Sequence, residues 1–149
     1  MTVIAKTIEI NMGHRLPNHN SKCRNLHGHR YKIEVGVQGE LISSKGSSDE
    51  GMIIDFGDLK KIMVEIIDDV YDHGLVLSNE DHNLIQFLEN PANGVKTKLV
   101  VVDFIPTVEN LTRHWHDLLK PKLEEKKILL KYVKTWETPT CFAVYEDED

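Results

Sequence analysis

The stretch CRNLHGH at residues 23–29 decides the fold of this chain, together with the alternating run of residues 30–41 that follows it. In an extended strand, residues two apart point to the same face. The parity of His27 and His29 continues through apolar residues, namely Tyr31, Ile33, Val35 and Val37. The opposite parity is mostly polar. The two imidazoles therefore lie on the buried face at the open end of a strand, where they need hydrogen bonds or a metal ion.

A second strand, predicted over residues 2–12, brings a third imidazole to the same place. Its apolar parity, broken only at Lys6, runs on to His14. We expect the two strands to pair, so that His14, His27 and His29 meet. Three protein nitrogens with an open position are typical of catalytic zinc. Cys23 as a fourth ligand would instead close a structural Cys-His₃ site, and the sequence leaves that alternative open.

Length and composition set the broad class. The chain has 149 residues, 40% apolar and 28% charged, which predicts one domain over residues 1–149. A formal charge of −6 argues against a nucleic-acid surface. No apolar run reaches membrane-span length, and the first residues lack the pattern of a signal peptide. Two cysteines in unrelated contexts favour free thiols and a cytoplasmic protein.

The remaining chain alternates helices with short strands. An amphipathic helix is predicted after residues 55–58, ending at Gly74 as a left-handed stop. A short helix at 80–90 and a short strand at 99–104 precede a second long helix. It opens at 106–110, and Pro121 with the charges to Lys127 ends it. Strands at 128–136 and 141–145 complete an α+β fold, a four-stranded antiparallel sheet with two main helices on one face. Nothing covers its edges, so we expect subunits to join their sheets.

Several side chains around the histidines are candidates for chemistry. A neighbouring cation or metal favours the thiolate form of a cysteine, which makes Cys23 a candidate nucleophile or base. In Asp72-His73, the carboxylate can orient the ring and stabilise its protonated form. Glu137, at the end of an apolar strand, could accept paired N–H donors from a guanidine-like heterocycle.

For other residues we expect structural or surface positions without a chemical role. Glu109 could simply favour the positive start of a helix. Cys141 is expected in the core, and the acidic tail 146–149 is expected to fray. Four histidines outside the cluster are expected to be solvated or on the surface, namely His19, His82, His114 and His116.

Taken in order, the motifs resemble one known family over nearly the whole chain. They are GHRL (13–16), C-x₃-HGH (23–29), GMIIDFGDLK (51–60), DH (72–73), PT-x-EN (106–110) and WET (136–138). Together they are similar to the 6-pyruvoyltetrahydropterin and 6-carboxytetrahydropterin synthases. That resemblance implies the tunnelling fold, in which subunits join their sheets into a barrel. It also implies a homo-oligomer, usually a hexamer built as a dimer of trimers.

The resemblance also assigns roles. It implies that His14, His27 and His29 hold Zn²⁺ and that Cys23 is the general base. Asp72 and His73 would supply the second proton, Glu137 would anchor the pterin, and Thr107 and Glu109 would line its pocket. The implied substrate is 7,8-dihydroneopterin triphosphate.

Three hypotheses for the function remain open, and two of them are branches of this family. The short spacing between Cys23 and His27 resembles the carboxy-forming branch, which releases acetaldehyde and triphosphate on the way to queuosine. The alternative is a pyruvoyl-forming synthase that eliminates triphosphate only. Gly13 and residues 74–77 depart from the usual pattern of the family, and residues 89–103 look longer than in compact members. The third possibility is a non-catalytic assembly module that zinc stabilises.

Overall fold

Two long strands, β1 (Val3–His14) and β2 (His27–Gln38), form the centre of a six-stranded sheet. The structure, a computed structural model, describes residues 1–148. The other strands are β3 (Leu75–Ser78), β4 (Leu99–Val102), β5 (Leu129–Thr138) and β6 (Cys141–Tyr145). The strand order is β4-β3-β1-β2-β5-β6.

The helices fall between β2 and β5. They are α1 (Phe56–Met63), α2 (Asp69–Tyr71), α3 (His82–Glu89) and α4 (Val108–Glu124). A π-helical segment (Val64–Asp68) joins α1 to α2, and short 3₁₀ turns cover Lys22–Arg24 and Pro91–Asn93. No helix within the described chain is both long enough and apolar enough to cross a membrane.

The α+β class is confirmed, and the sheet is larger than expected. The strands β1, β2, β5 and β6 pair antiparallel, as the alternating sequence predicts. Two further strands, β3 and β4, add to the β1 edge in parallel. The sequence analysis missed β3 and missed the parallel pairing, because four-residue strands are too short to show a period.

The core lies between one face of the sheet and the long helices. Tyr31, Ile33 and Val35 on β2 are completely buried, as the apolar parity requires. The α4 helix packs on β5 and β6, and α1 packs on β1. Residues of α4 that are fully buried in this core include Leu111, Trp115, Leu119 and Leu123.

The predicted stop of the first long helix needs correction. The first helix begins after Asp55, whose carboxylate accepts a hydrogen bond from the Gly57 N–H at 2.7 Å. It ends at Tyr71, and the left-handed residue is His73, with φ of 61°, instead of Gly74. Position 74 favours glycine because the Tyr71 carbonyl oxygen lies close by, and a Cβ at position 74 would be only 2.9 Å from it.

The second long helix continues past Pro121 and ends at Glu124, within the stretch from Pro121 to Lys127 that the sequence predicts as its end. A proline removes one N–H and clashes with the preceding turn, which disfavours but does not forbid a helix. The last turn is retained because Leu123 is completely buried against the core. Packing therefore outweighs the local preference.

Three single-residue expectations also fail. His116 is completely buried on α4, whereas the sequence placed it on the surface. Cys141 is exposed at the start of β6, because this edge strand has no neighbour on its outer side. The expected fraying of the tail fails at Asp147, whose carboxylate accepts a hydrogen bond from Lys120 Nζ at 2.6 Å, while residue 149 lies outside the described residues.

We predict that Gly36→Ala destabilises the protein by about 1–3 kcal/mol. The Tyr132 ring covers Gly36 so closely that an added Cβ would lie 2.1 Å from its Cε1 atom. The ring is held there by a 2.9 Å hydrogen bond from its hydroxyl to Glu34. Urea unfolding at a fixed protein concentration measures the change. In a Tyr132→Ala background the same substitution should cost much less, and an equal cost in both backgrounds would contradict the prediction.

Candidate metal centre

The register of β1 and β2 brings the three predicted histidines together. His14 lies opposite His27, and Met12 lies opposite His29, so all three imidazoles project from one face at one end of the strand pair. Their candidate ligand nitrogens lie within 4.8 Å of one another. The ring centroids are 4.6–5.2 Å apart, and the rings meet edge to face. These three side chains form a group that can hold a metal ion.

Two backbone carbonyls orient the rings. His14 Nδ1 lies 2.7 Å from the Pro106 carbonyl oxygen, and His27 Nδ1 lies 2.7 Å from the Asn25 carbonyl oxygen. A carbonyl oxygen only accepts, so Nδ1 of each neutral ring carries the proton. Nε2 of each ring is then left with a free lone pair. Outer hydrogen bonds of this kind are typical of histidines that bind metals.

The inner nitrogens fit a divalent ion. The Nε2 atoms of His14 and His27 face each other at 3.1 Å, where two unprotonated lone pairs repel unless a cation or proton lies between them. Two Zn–N bonds of about 2.0–2.1 Å at a tetrahedral angle would place such nitrogens about 3.3 Å apart. Nε2 of His29 is buried and has no hydrogen-bond partner among residues 1–148. A metal ion would satisfy all three atoms.

The surroundings of His14 and His29 favour the neutral form of these two rings. Burial lowers the pKa of His14 from 6.5 to about 4, and the neighbouring His27 and His29 lower it further against the opposing effect of the Pro106 carbonyl. Burial also lowers the pKa of His29, although the Glu137 carboxylate acts in the opposite direction. Neutral imidazole is the form that binds a metal, so protons compete weakly at His14.

Tyr31 lies beneath the cluster, and the sequence analysis treated it only as a core residue. Its hydroxyl lies 3.3 Å from Nδ1 of His14 and its side chain is completely buried. Burial raises the pKa of this phenol, with the charges of Glu137 and Cys23 acting in the same direction. The parity of the HGH motif already placed Tyr31 next to the histidines, and that was the available signal.

Cys23 lies outside the group of ligand atoms. It sits half-buried on the 3₁₀ turn Lys22–Arg24, and its carbonyl accepts a hydrogen bond from the Leu16 N–H at 2.7 Å. Within the described residues, the metal-binding group contains three histidines and no sulfur. This arrangement does not match the closed Cys-His₃ alternative. The role of Cys23 as a base stays a prediction.

Asp72 and His73 form a hydrogen-bonded pair on the turn between α2 and β3. One carboxylate oxygen accepts the Asn11 N–H at 2.9 Å, and the other lies 2.9 Å from Nδ1 of His73. The Asn11 N–H, with smaller contributions from His73 and Lys98, holds the pKa of Asp72 below its ordinary value. The imidazole of His73 is 75% exposed and free to reach a ligand.

The predicted pterin-binding residues are only partly brought together. Glu137 Oε1 lies 3.8 Å from Nε2 of His29, so this carboxylate borders the histidine cluster. Thr107 caps α4, its hydroxyl accepting the Asn110 N–H at 3.2 Å. Glu109 is exposed in the first turn of α4. Neither Thr107 nor Glu109 hydrogen-bonds to the cluster within the part of the chain described, and their roles stay predictions.

Two clefts adjoin the cluster, and His29 borders both. One, of about 450 Å³, is lined by His73 and His29 together with Gly13, Gly28 and Arg30 among others. The second, of about 400 Å³, is lined by His29, Glu137, Trp136 and Lys32 among others. Glu137 and His73 therefore border different clefts, and His29, a candidate metal ligand, lies between them.

Comparison with known proteins identifies the family. The family model described as 6-pyruvoyl tetrahydropterin synthase matches residues 3–148. The chain belongs to the 6-pyruvoyl tetrahydropterin synthase family. This confirms the resemblance drawn from the HGH, DH and PT-x-EN motifs, and it makes the protein a member of a family of pterin synthases.

Similar curated members carry the name 6-carboxy-5,6,7,8-tetrahydropterin synthase. The protein of Haemophilus influenzae is 35% identical over 149 residues, covering 99% of this chain and 100% of its own length. The protein of Rickettsia bellii is 34% identical over 144 residues, covering 96% of this chain and 99% of its own length. Both comparisons are therefore essentially full-length.

Solved structures of other proteins show the same fold. An uncharacterized protein of Wolinella succinogenes matches with a TM-score of 0.82 and 24% identity, covering 99% of this chain and 98% of its own. The 6-pyruvoyl tetrahydropterin synthase of Caenorhabditis elegans matches with a TM-score of 0.69 at 24% identity, covering 99% and 96%. At this identity the likeness establishes the fold alone.

We predict that His27→Ala strips the protein of zinc. A site with two remaining imidazoles holds the ion poorly, so metal analysis of the purified variant should give less than about one fifth of the wild-type zinc. His82→Ala, which removes an exposed histidine outside the cluster, is the matched control and should retain full zinc. Full occupancy in His27→Ala would contradict the ligand assignment.

Acid should destabilise the metal-free protein through His14. The unfolded chain binds a proton at this ring near pH 6.5, whereas the folded chain does so only near pH 4. The free energy of unfolding is therefore highest above pH 6.5 and falls between 6.5 and 4. From pH 7 to pH 5 the loss is about 2 kcal/mol from this residue. Urea unfolding of chelator-treated protein measures it, and His14→Gln should remove that share of the pH dependence.

Proposed function

We propose that this protein is a zinc-dependent 6-carboxy-5,6,7,8-tetrahydropterin synthase. It would convert 7,8-dihydroneopterin triphosphate and one water molecule to 6-carboxytetrahydropterin, acetaldehyde and triphosphate, a lyase reaction on the way to queuosine. The observation that carries the proposal is the three-histidine cluster, with free inner nitrogens and Glu137 at its border, in a chain whose full-length relatives bear that name.

The histidine cluster suits the first part of the reaction. A zinc ion held by His14, His27 and His29 would polarise the side-chain hydroxyls of the substrate and acidify the adjacent C–H bond. Three protein ligands leave a position for those hydroxyls. The outer hydrogen bonds from His14 and His27 to backbone carbonyls fix the tautomer that such binding requires.

The other residues divide the work of binding and proton transfer. Glu137 would accept the paired N–H groups of the pterin, next to His29. Cys23, as a thiolate, would remove the proton from the substrate side chain, and His73 would return one at another atom. Asp72 would orient the His73 ring through a 2.9 Å contact between its carboxylate and Nδ1. Thr107 and Glu109 would contribute to the wall of the pterin pocket.

The edges of the sheet suit an assembly of several copies. The sheet ends in the strands β4 and β6, and an exposed Phe142 and Val144 lie on β6. Exposed strand edges are ready to pair with another chain. We therefore propose a homo-oligomer, a hexamer of two trimers in which the sheets join into a barrel. Size-exclusion chromatography giving a monomer would contradict it.

Product analysis tests the proposed reaction. Incubation with 7,8-dihydroneopterin triphosphate should give a carboxypterin, free acetaldehyde and triphosphate by mass spectrometry. Triphosphate with a diketo side chain and no acetaldehyde would instead identify a pyruvoyl-forming synthase. That second candidate is kept because the matching family model and the nematode structure carry the pyruvoyl name. No product at all would reject both.

We predict that Cys23→Ala abolishes activity while leaving zinc and stability unchanged. The thiol lies outside the group of metal-ligating atoms, so its loss removes a base and no ligand. Removal of a general base lowers kcat by about 10²–10⁴-fold. Cys141→Ala, at an exposed thiol, is the control and should keep full activity. Loss of zinc in Cys23→Ala would favour the alternative of a zinc-stabilised assembly module.

A further inference from the structure

Lys98 caps the end of α2, the helix that directly precedes Asp72. The helix stops at Tyr71, which leaves backbone carbonyls at its C-terminus without N–H partners in the helix. Lys98 Nζ donates hydrogen bonds to the carbonyl oxygens of Asp69 at 3.1 Å and Asp72 at 2.7 Å. A cation at this end of a helix is also favoured by the helix dipole.

The turn held by Lys98 is a strained one. His73 has a left-handed backbone with φ of 61°, which disfavours every residue that has a Cβ. Its N–H donates to the Asn11 carbonyl at 2.6 Å, and the Asp72 carboxylate accepts the Asn11 N–H. Asn11 on β1 therefore holds the turn in place through two hydrogen bonds. Strain of this kind persists only where surrounding contacts fix the backbone.

Lys98, next to β4, also forms hydrogen bonds to this turn. Its own carbonyl accepts the Leu75 N–H at 2.8 Å, one residue before β4 begins to pair with β3. Its side chain reaches back to Asp72. One residue thus holds the chain on both sides of His73, and it lies within the segment 89–103 to which the sequence analysis gave no role.

We infer that Lys98 is a positioning residue for the Asp72–His73 pair, an inference that rests on the proposed function. Its ammonium group contacts backbone oxygens and touches no substrate-binding group. Without it, the peptide between Asp72 and His73 loses its main restraint on the β4 side. The His73 backbone can then relax away from the left-handed conformation, and the imidazole no longer points where Asp72 orients it.

Three variants test this inference in the zinc-loaded enzyme. Lys98→Met keeps most of the aliphatic stem and removes the charge. We expect kcat for 7,8-dihydroneopterin triphosphate to fall about 10- to 100-fold, since misplacing a reacting group costs rate, with KM unchanged within about twofold. Lys98→Arg should restore kcat to within about threefold of wild type. Lys96→Met, an exposed neighbour with no hydrogen bond in residues 1–148, should match wild type.

A second measurement does not depend on activity. Hydrogen exchange should become at least tenfold faster at the amides of residues 73–75 in Lys98→Met and stay near wild type in Lys98→Arg and Lys96→Met. Unchanged exchange, or kcat within twofold of wild type in Lys98→Met, would overturn the inference. So would a loss of zinc or secondary structure shared by Lys98→Met and Lys98→Arg. If the wild type makes no product, the proposed function fails, and the exchange result still decides whether Lys98 holds the turn.

Discussion

The antiparallel register of β1 and β2 is the constraint on which the rest of the structure depends. It places His14 opposite His27 and Met12 opposite His29, so that three imidazoles meet at one end of the sheet. A slip of one residue would turn every side chain of one strand to the other face. The same register puts Tyr31 and Ile33 in the core. Core packing therefore fixes the geometry of the histidine cluster, since the core residues and the histidines share a single strand parity.

Sequence alone predicts this centre well because the signal has a short period. The alternation that runs from His27 through Val37 marks one buried face, and that parity is the parity observed. Three histidines at strand mouths need only the pairing of two long strands to meet. The family motifs add the Asp72–His73 pair, which the structure finds hydrogen-bonded.

Other features escaped prediction because they depend on tertiary contacts. Strand β3 has only four residues, and its parallel pairing with β1 and β4 involves no local turn. His116 is buried, although its helical position alone gave no sign of the strand packed above it. The carbonyls of Asn25 and Pro106 orient His27 and His14. Every residue has such a carbonyl, so the sequence does not show which ones accept these hydrogen bonds. The unusual backbone at His73 was equally invisible, since glycine stands directly after it.

The left-handed backbone at His73 has a consequence for which residues can replace it. Glycine enters that conformation freely, and among residues with a Cβ chiefly Asn, Asp and His do so. A substitution at position 73 therefore changes the backbone strain of the turn between α2 and β3 as well as the side-chain chemistry. A β-branched or bulky residue would raise that strain unless the turn was rebuilt at the same time.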